Sequence, residues 1–567
     1  MPELPRNPRA DGREKRPRSK NGACRRKKAV PRSPPSAAWR TRFHTGKALP
    51  IILFQEVEKL VLVAVNPATG ERIEEIEETD IGKVQTFYEN SRRAFSRWSG
   101  LSLDERLGYF RRLKKVMAEA MDEIAKTVSL DTGKVPTDAL VSDVMPTIES
   151  IEFVLKHAKK SLSPQKVKTP LLLFGKTSCV EYMPRGVVLV ISPWNYPLQL
   201  AMVPAVSALA GGNTVILKPS EVTPLVGKLI ESLFQRAGFP EHVLQVAHGG
   251  KEVGSAFVNG KPDYIFFTGS VKTGKIIQKA AAEHLIPTTL ELGGKDPFIV
   301  FADANLERAA KGAVWAAFTN CGQVCMSAER IFVEKSVFPE FVERLKEETR
   351  SLVLGQGEDA DIGSMTFPGQ KEIVREHVLD ALARGAKLET GEHPDRWKVD
   401  SLFVKPMVMT NVPMDAKIMK EETFGPVLPV VPFETEEEAV KLANDTEYGL
   451  NASVWSNDLE RARRVAAKLV SGAVVINDAV ISVANPHLPF GGAKNSGIGR
   501  YHGKDGLRIF CHEKALVIDR GRLKREVQWY PYKGTYPLFL RLFQSYFGER
   551  KNWFAFFQSF LRLMKRN

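Results

Sequence analysis

Gly186-Val187-Val188-Leu189-Val190-Ile191-Ser192-Pro193 decides the fold. Its central positions are apolar without alternation, so a strand built on them must be covered on both faces, and Ser192-Pro193 ends it. Thr214-Val215-Ile216-Leu217-Lys218-Pro219 and Tyr264-Ile265-Phe266-Phe267-Thr268-Gly269 are built alike. Ala- and Leu-rich helical segments, 198–210 and 225–237, lie between them. Apolar strands alternating with helices predict an α/β lobe with a parallel sheet. Further strands near 298–300, 330–333 and 474–477 predict a second α/β lobe.

Upstream, Phe87, Ala94, Phe95 and Trp98, then Leu107, Phe110, Leu113 and Met117, recur at three- and four-residue spacings, so 80–160 reads as one-sided surface helices. Order is expected to begin near the turn Val65-Asn66-Pro67-Ala68-Thr69-Gly70-Glu71. Two or three lobes fit a chain of 567 residues. Its 43% hydrophobic and 26% charged content are those of a soluble globular protein. Five scattered cysteines make no disulfide framework and point to a reduced, cytoplasmic compartment.

The net charge of +15 is confined to the ends. Residues 1–47 hold 15 Lys/Arg against 3 Asp/Glu, residues 520–567 hold 11 against 2, and the span between carries about −6. Basic ends can hold a protein near phosphates, but the core has no nucleic-acid character, and specific nucleic-acid binding is not expected. Segment 1–47 is too polar and Pro-rich to offset its ordering entropy and reads as a disordered tail. The apolar stretch 48–54 is too short for a secretory signal, and no run is long enough to span a bilayer.

Three motifs carry chemistry. In Asn320-Cys321-Gly322-Gln323-Val324-Cys325, a glycine ahead of a cysteine close to a helix start would leave N–H groups free to stabilise a thiolate or oxyanion. On local grounds the two cysteines read equally well as core residues at helical spacing. Glu291-Leu292-Gly293-Gly294, after the strand-like 287–290, places a carboxylate where backbone must approach a ligand, or else marks a surface turn. Phe267-Thr268-Gly269-Ser270-Val271-Lys272-Thr273-Gly274-Lys275 has a P-loop frame, but Ile276 stands where a magnesium-binding hydroxyl belongs. That argues against nucleotide hydrolysis and for a pyrophosphate seat at Gly269-Ser270.

Pro193-Trp194-Asn195-Tyr196-Pro197, Lys218-Pro219-Ser220-Glu221, Phe267-Thr268-Gly269-Ser270, Glu291-Leu292-Gly293-Gly294, Gly322-Gln323-Val324-Cys325, Glu422-Thr423-Phe424-Gly425-Pro426 and Pro489-Phe490-Gly491-Gly492 follow one another in this order. Together they resemble the aldehyde dehydrogenase superfamily over roughly residues 60 to 515. The resemblance implies a Rossmann-like dinucleotide-binding lobe (60–290, with 161–181 in a small β oligomerisation extension). A catalytic α/β lobe (291–488) and a return segment (489–519) would follow. It implies Cys325 as nucleophile, Asn195 and the Cys325 N–H as oxyanion donors, and Glu291 as the base that activates water. Family members that pass the acyl group to coenzyme A tend to lack that base, so the implied product is a free acid.

The implied cofactor is NAD, with NADP as the alternative, since Glu221 would repel a 2′-phosphate. Lys218 and Glu221 would take the adenosine ribose and Glu422 the nicotinamide ribose, with Phe424 beside the ring. Ser192, Pro193, Trp194, Ser220, Gly269, Ser270, Gly274, Leu292 and Gly293 complete the implied contacts. No metal site is implied, and a homodimer or homotetramer is.

The resemblance stops near Asp519. Beyond it, Trp553, Phe556, Phe557, Phe560 and Met564 form an apolar stripe among Arg550, Lys551, Arg562, Lys565 and Arg566. Such a tail (520–567) suits a membrane interface, placing the enzyme at the inner face of a membrane, or alternatively a partner subunit or the substrate entrance. A membrane seat favours a hydrophobic aldehyde, of long-chain or apocarotenoid type. The alternatives are a succinate-semialdehyde type of dehydrogenase, which would want an arginine at the substrate mouth, and a non-catalytic family member.

Overall fold

Strand Val187–Ile191 lies at the centre of a six-stranded sheet, hydrogen-bonded in parallel to Thr214–Lys218 on one side and Tyr264–Thr268 on the other. The computed structural model describes residues 60–565, so the 1–47 segment lies outside the described residues. Leu244–Val246 extends the sheet beyond Thr214–Lys218, and Thr288–Glu291 extends it beyond Tyr264–Thr268. Only Gly497–Ile498, at the edge, is antiparallel. The period-two side-chain alternation of these strands feeds two cores. Val188, Val190, Val215, Leu217 and Phe266 join the large core that includes Leu198, Ala205 and Leu209. Val187, Leu189, Ile216, Ile265 and Phe267 pack with Val253, Phe257 and Ile277 on the other face.

The chain enters this sheet at its centre, builds outward to Leu244–Val246, then returns to the opposite side. The topological switch point therefore falls between the carboxyl ends of Val187–Ile191 and Tyr264–Thr268, where open α/β sheets bind ligands.

The second sheet has seven strands, in the order Lys387–Leu388, Met407–Thr410, Val427–Phe433, Ala328–Glu334, Asp296–Val300, Ser453–Trp455, Val475–Ile476. All but the first run parallel. Four residues separate Thr288–Glu291 from Asp296–Val300, so this short passage sets the carboxyl edge of one sheet against the amino edge of the other. A small antiparallel sheet of Cys511–Asp519, Lys176–Pro184 and Gln165–Val167 projects separately, running past the expected 161–181.

Two expectations are corrected here. Order starts earlier than Val65, with strand Val61–Val65 paired to Arg72–Glu77. The stripe Trp553, Phe556, Phe557, Phe560 and Met564 is not one free face: Phe556 is buried and Phe560 and Met564 half-buried, while Trp553 and Phe557 stay exposed. Helix Trp553–Met564 packs on helix Tyr536–Phe547, with Phe556, Leu563 and Leu542 buried between them.

Candidate active site

The register of the first sheet assembles one side of the cleft. Ile191 pairs with Lys218 and with Phe267, and Thr268 pairs with Glu291, so Ser192, Gly269 and Leu292 follow neighbouring strand ends. Ser270 caps helix Val271–Ala282, its hydroxyl accepting from the Thr273 N–H. The Ser192 and Thr268 hydroxyls are buried at this seat with no hydrogen-bond partner. Unpaired buried hydroxyls beside a helix amino end suit a polar, anionic ligand. Lys218 Nζ donates to Glu221 at 2.7 Å, with Ser220 buried beside them. Gly274 lies one turn into the helix against the Leu292 side chain, so both serve helix-to-loop packing.

The second sheet supplies the opposite side. Cys325 precedes strand Ala328–Glu334 by two residues, and Phe424 precedes Val427–Phe433 by two. Cys325 is therefore not near a helix start, which corrects the sequence expectation. It follows a tight turn in which Asn320, Cys321 and Gly322 all have positive φ. No helix dipole lowers its thiol; burial, then Glu422, Asp296 and Glu291, push the thiol far above its ordinary range. The Cys325 N–H is turned to its own sulfur, which opposes that rise.

Asn195 sits in the loop after the central strand. Its Nδ2 donates to the Gln323 carbonyl at 3.0 Å. Its own carbonyl accepts from Lys134 Nζ at 2.7 Å and from Asn320 Nδ2 at 3.0 Å. Lys134 in turn forms a wholly buried ion pair with Asp143 at 2.7 Å and lies 4.0 Å over the Tyr196 ring. Asp143 also accepts from the Gln199 N–H. The oxyanion donor is thus tied both to the cysteine loop and to a helix-borne ion pair.

Glu291 is buried, and neither carboxylate oxygen has a partner. Burial raises it well above the usual carboxylate range, opposed only by Arg500. Gly491 makes room for it, since a Cβ there would lie 2.9 Å from Oε1. The double glycine that follows Glu291 has an equally direct reason. A Cβ on Gly293 would collide with the Glu422 carboxylate and one on Gly294 with the Cys325 carbonyl. Glu422 accepts from the Gly294 N–H at 2.9 Å and is pushed up to about 8, by burial first and then by Glu329. Phe424, at positive φ, stands edge-on to Trp194 with ring centres 5.4 Å apart, which closes the cleft between the sheets.

Sequence reasoning missed the groups that hold these residues. Glu329 accepts from the Thr423 and Phe424 N–H groups, both at 2.8 Å, and pairs with buried Lys295 at 2.5 Å. Nothing in Ala328-Glu329-Arg330-Ile331 marks that carboxylate as internal. Tyr501 is buried against Phe266 and Phe490, and burial, then Glu291 and Cys325, keep its phenol protonated. Lys134 and Asp143 lie nine positions apart on what reads as solvated helix.

The aldehyde dehydrogenase family model matches residues 54–516. A 4,4′-diapolycopene aldehyde oxidase of Methylomonas sp is 41% identical over 490 residues, 86% of this chain and 92% of that protein. The 2-aminomuconic semialdehyde dehydrogenase of Mus musculus is 38% identical over 465 residues, 80% and 94% of the two chains. A solved NAD+ complex of an aldehyde dehydrogenase from Bacillus cereus superposes with a TM-score of 0.77 at 33% identity, covering 81% and 94%.

Proposed function

This chain belongs to the aldehyde dehydrogenase family, and from that membership we propose that it oxidises a hydrophobic aldehyde to the free acid through Cys325. The observation that carries the proposal is the partnerless buried carboxyl of Glu291 in the same cleft as Cys325. Cys325 releases its proton to solvent, and the resulting thiolate attacks the aldehyde carbon. One N–H of the Asn195 amide is engaged by the Gln323 carbonyl, and its second N–H, with the Cys325 N–H, receives the oxyanion. Each such donor is typically worth about 3 kcal/mol in the transition state.

The residues present fit NAD(P): the unpaired Ser192 and Thr268 hydroxyls at the switch point, the Ser270 helix cap, the Lys218–Glu221 pair and Glu422. When bound, this cofactor supplies the hydride acceptor. Loss of hydride from the thiohemiacetal carbon leaves a thioester on Cys325. Glu291 then removes a proton from water, which attacks the thioester and releases acid and thiol. Glu221 opposes a 2′-phosphate, so NAD is the expected form.

The apolar substrate is supported by the Methylomonas relative. A cavity of about 410 Å³ beside Thr319 is lined by Val314, Trp315 and Phe318 but also by Lys311, Asp138 and Glu348, so its lining does not itself select an apolar aldehyde. NADH formation is the test, with decanal and a long polyene aldehyde set against succinate semialdehyde. Turnover of the apolar aldehydes, lost in Cys325→Ala, is expected. Full activity in that variant would sink the mechanism, and preference for succinate semialdehyde would sink the substrate class.

A further inference from the structure

The two C-terminal helices use one face against each other and leave another uncovered. Leu542, Phe556 and Leu563 fill the interior of the hairpin, closed by Leu172 and Val527. Outside it, Leu540, Phe543 and Phe547 stand at i, i+3 and i+7 on the first helix. Phe554, Phe557 and Leu561 repeat the same spacing on the second. Phe547 is 69% exposed and Phe554 79%. Phe174, from the loop beside the small antiparallel sheet, is 72% exposed and shares an apolar groove of about 380 Å³ with Phe543, Phe557 and Leu561. A soluble protein rarely leaves aromatics so dense in water, so this face has an occupant.

Charge selects which. Arg541, Arg550, Lys551, Arg562 and Lys565 are exposed around the aromatics, in a segment with 11 Lys/Arg against 2 Asp/Glu. Lys551 lies 5.3 and 5.7 Å over the rings of Tyr546 and Trp553. A second copy docking by this same face would bring two strongly cationic surfaces together. A bilayer with anionic headgroups offers opposite charge at the rim and hydrocarbon at the centre. Among the described residues no helix is long and apolar enough to cross a membrane. The face is therefore suited to lying in the interface rather than spanning it.

We propose that the hairpin Tyr536–Met564, with Phe174, seats this enzyme on the anionic surface of a lipid bilayer. Phe547, Phe554, Phe557 and Leu561 enter the acyl boundary, and Arg550, Arg562 and Lys565 contact lipid phosphates. This surface lies outside the catalytic cleft, and the proposal does not depend on which aldehyde is oxidised.

Flotation of the full chain with phosphatidylcholine vesicles, with and without phosphatidylglycerol, tests it. Binding at least about tenfold stronger to the anionic vesicles, and weakening as salt is raised, is expected. The double variants Phe547→Ser/Phe554→Ser and Arg550→Glu/Arg562→Glu should each lose that binding while oxidising a small water-soluble aldehyde at the original rate. Absence of binding in the unaltered chain overturns the proposal. So does binding that survives both double variants, which would assign the attraction to the basic 1–47 segment. A fall in oligomer mass in the aromatic variant, with no vesicle binding by the unaltered chain, would make the face a subunit contact instead.

Discussion

Burial pushes both Glu291 and Cys325 toward their neutral forms, and this sets the sign of the pH response. A raised carboxyl reaches its base form only as pH climbs toward its shifted value, and a raised thiol behaves alike, so turnover should rise from acid through neutral into alkaline pH. Glu291→Gln should keep a single-turnover burst of NADH while steady-state acid production falls by about 10²-fold or more, with the pH dependence of deacylation flattened. An unchanged steady-state rate would remove Glu291 from the mechanism. Stability runs the other way. A carboxyl whose folded value is raised contributes least once pH passes that value, so Glu291→Gln should melt no lower than the parent, with its advantage growing as pH rises. A lower melting temperature at alkaline pH would contradict that reading. Cys325 and Glu291 were legible through ordered motifs, not through their surroundings. The expected helix start before Cys325 failed because the left-handed run Asn320-Cys321-Gly322 turns the chain into a strand instead. Glu329 and Tyr501 were illegible because their burial depends on two sheets closing over them.

At the scale of elements, the apolar strands and intervening helices of the first lobe could be read directly, since continuous Val/Ile/Leu runs admit only a sheet covered on both sides. Their order could not. Strand polarity and the switch point follow from which neighbours pair, and no local pattern carries that. The loop after Val187–Ile191 shows the consequence, because its position depends on Lys134, from an upstream interhelical loop, and on helical Asp143. Lys134→Met leaves Asp143 as an unpaired buried acid and should cost about 3–5 kcal/mol of stability. Adding Asp143→Leu removes that acid and should restore most of the stability. Activity should not return with it, because the bond from Lys134 Nζ to the Asn195 carbonyl is still missing. Recovery of kcat in the double variant, measured alongside thermal melting, would show that the ion pair supports the fold without positioning the oxyanion donor.

At the scale of the molecule, the small antiparallel sheet raises a question that no catalytic residue answers. Its strand Cys511–Asp519 pairs along its full length with Lys176–Pro184 on one side only, so the other edge presents unpaired N–H and C=O groups. Val517 and Ile518 are exposed there. A nine-residue bare edge is a template for further pairing, and natural proteins cover or blunt such edges. Unlike the cationic hairpin, this strand mixes His512, Glu513, Lys514 and Asp519, so like-charge repulsion does not bar a second copy from pairing with it. The family resemblance implied a dimer or tetramer; the edge supplies a physical route to one. Successive N–H groups along an antiparallel strand point to opposite sides. Of Leu516→Pro and Val517→Pro, one therefore removes an outward donor and the other a donor to Lys176–Pro184. The first should lower the sedimenting mass with little change in melting temperature, and the second should lower the melting temperature. If the parent sediments as a single chain, or if neither proline changes its mass, edge pairing is not how this protein assembles.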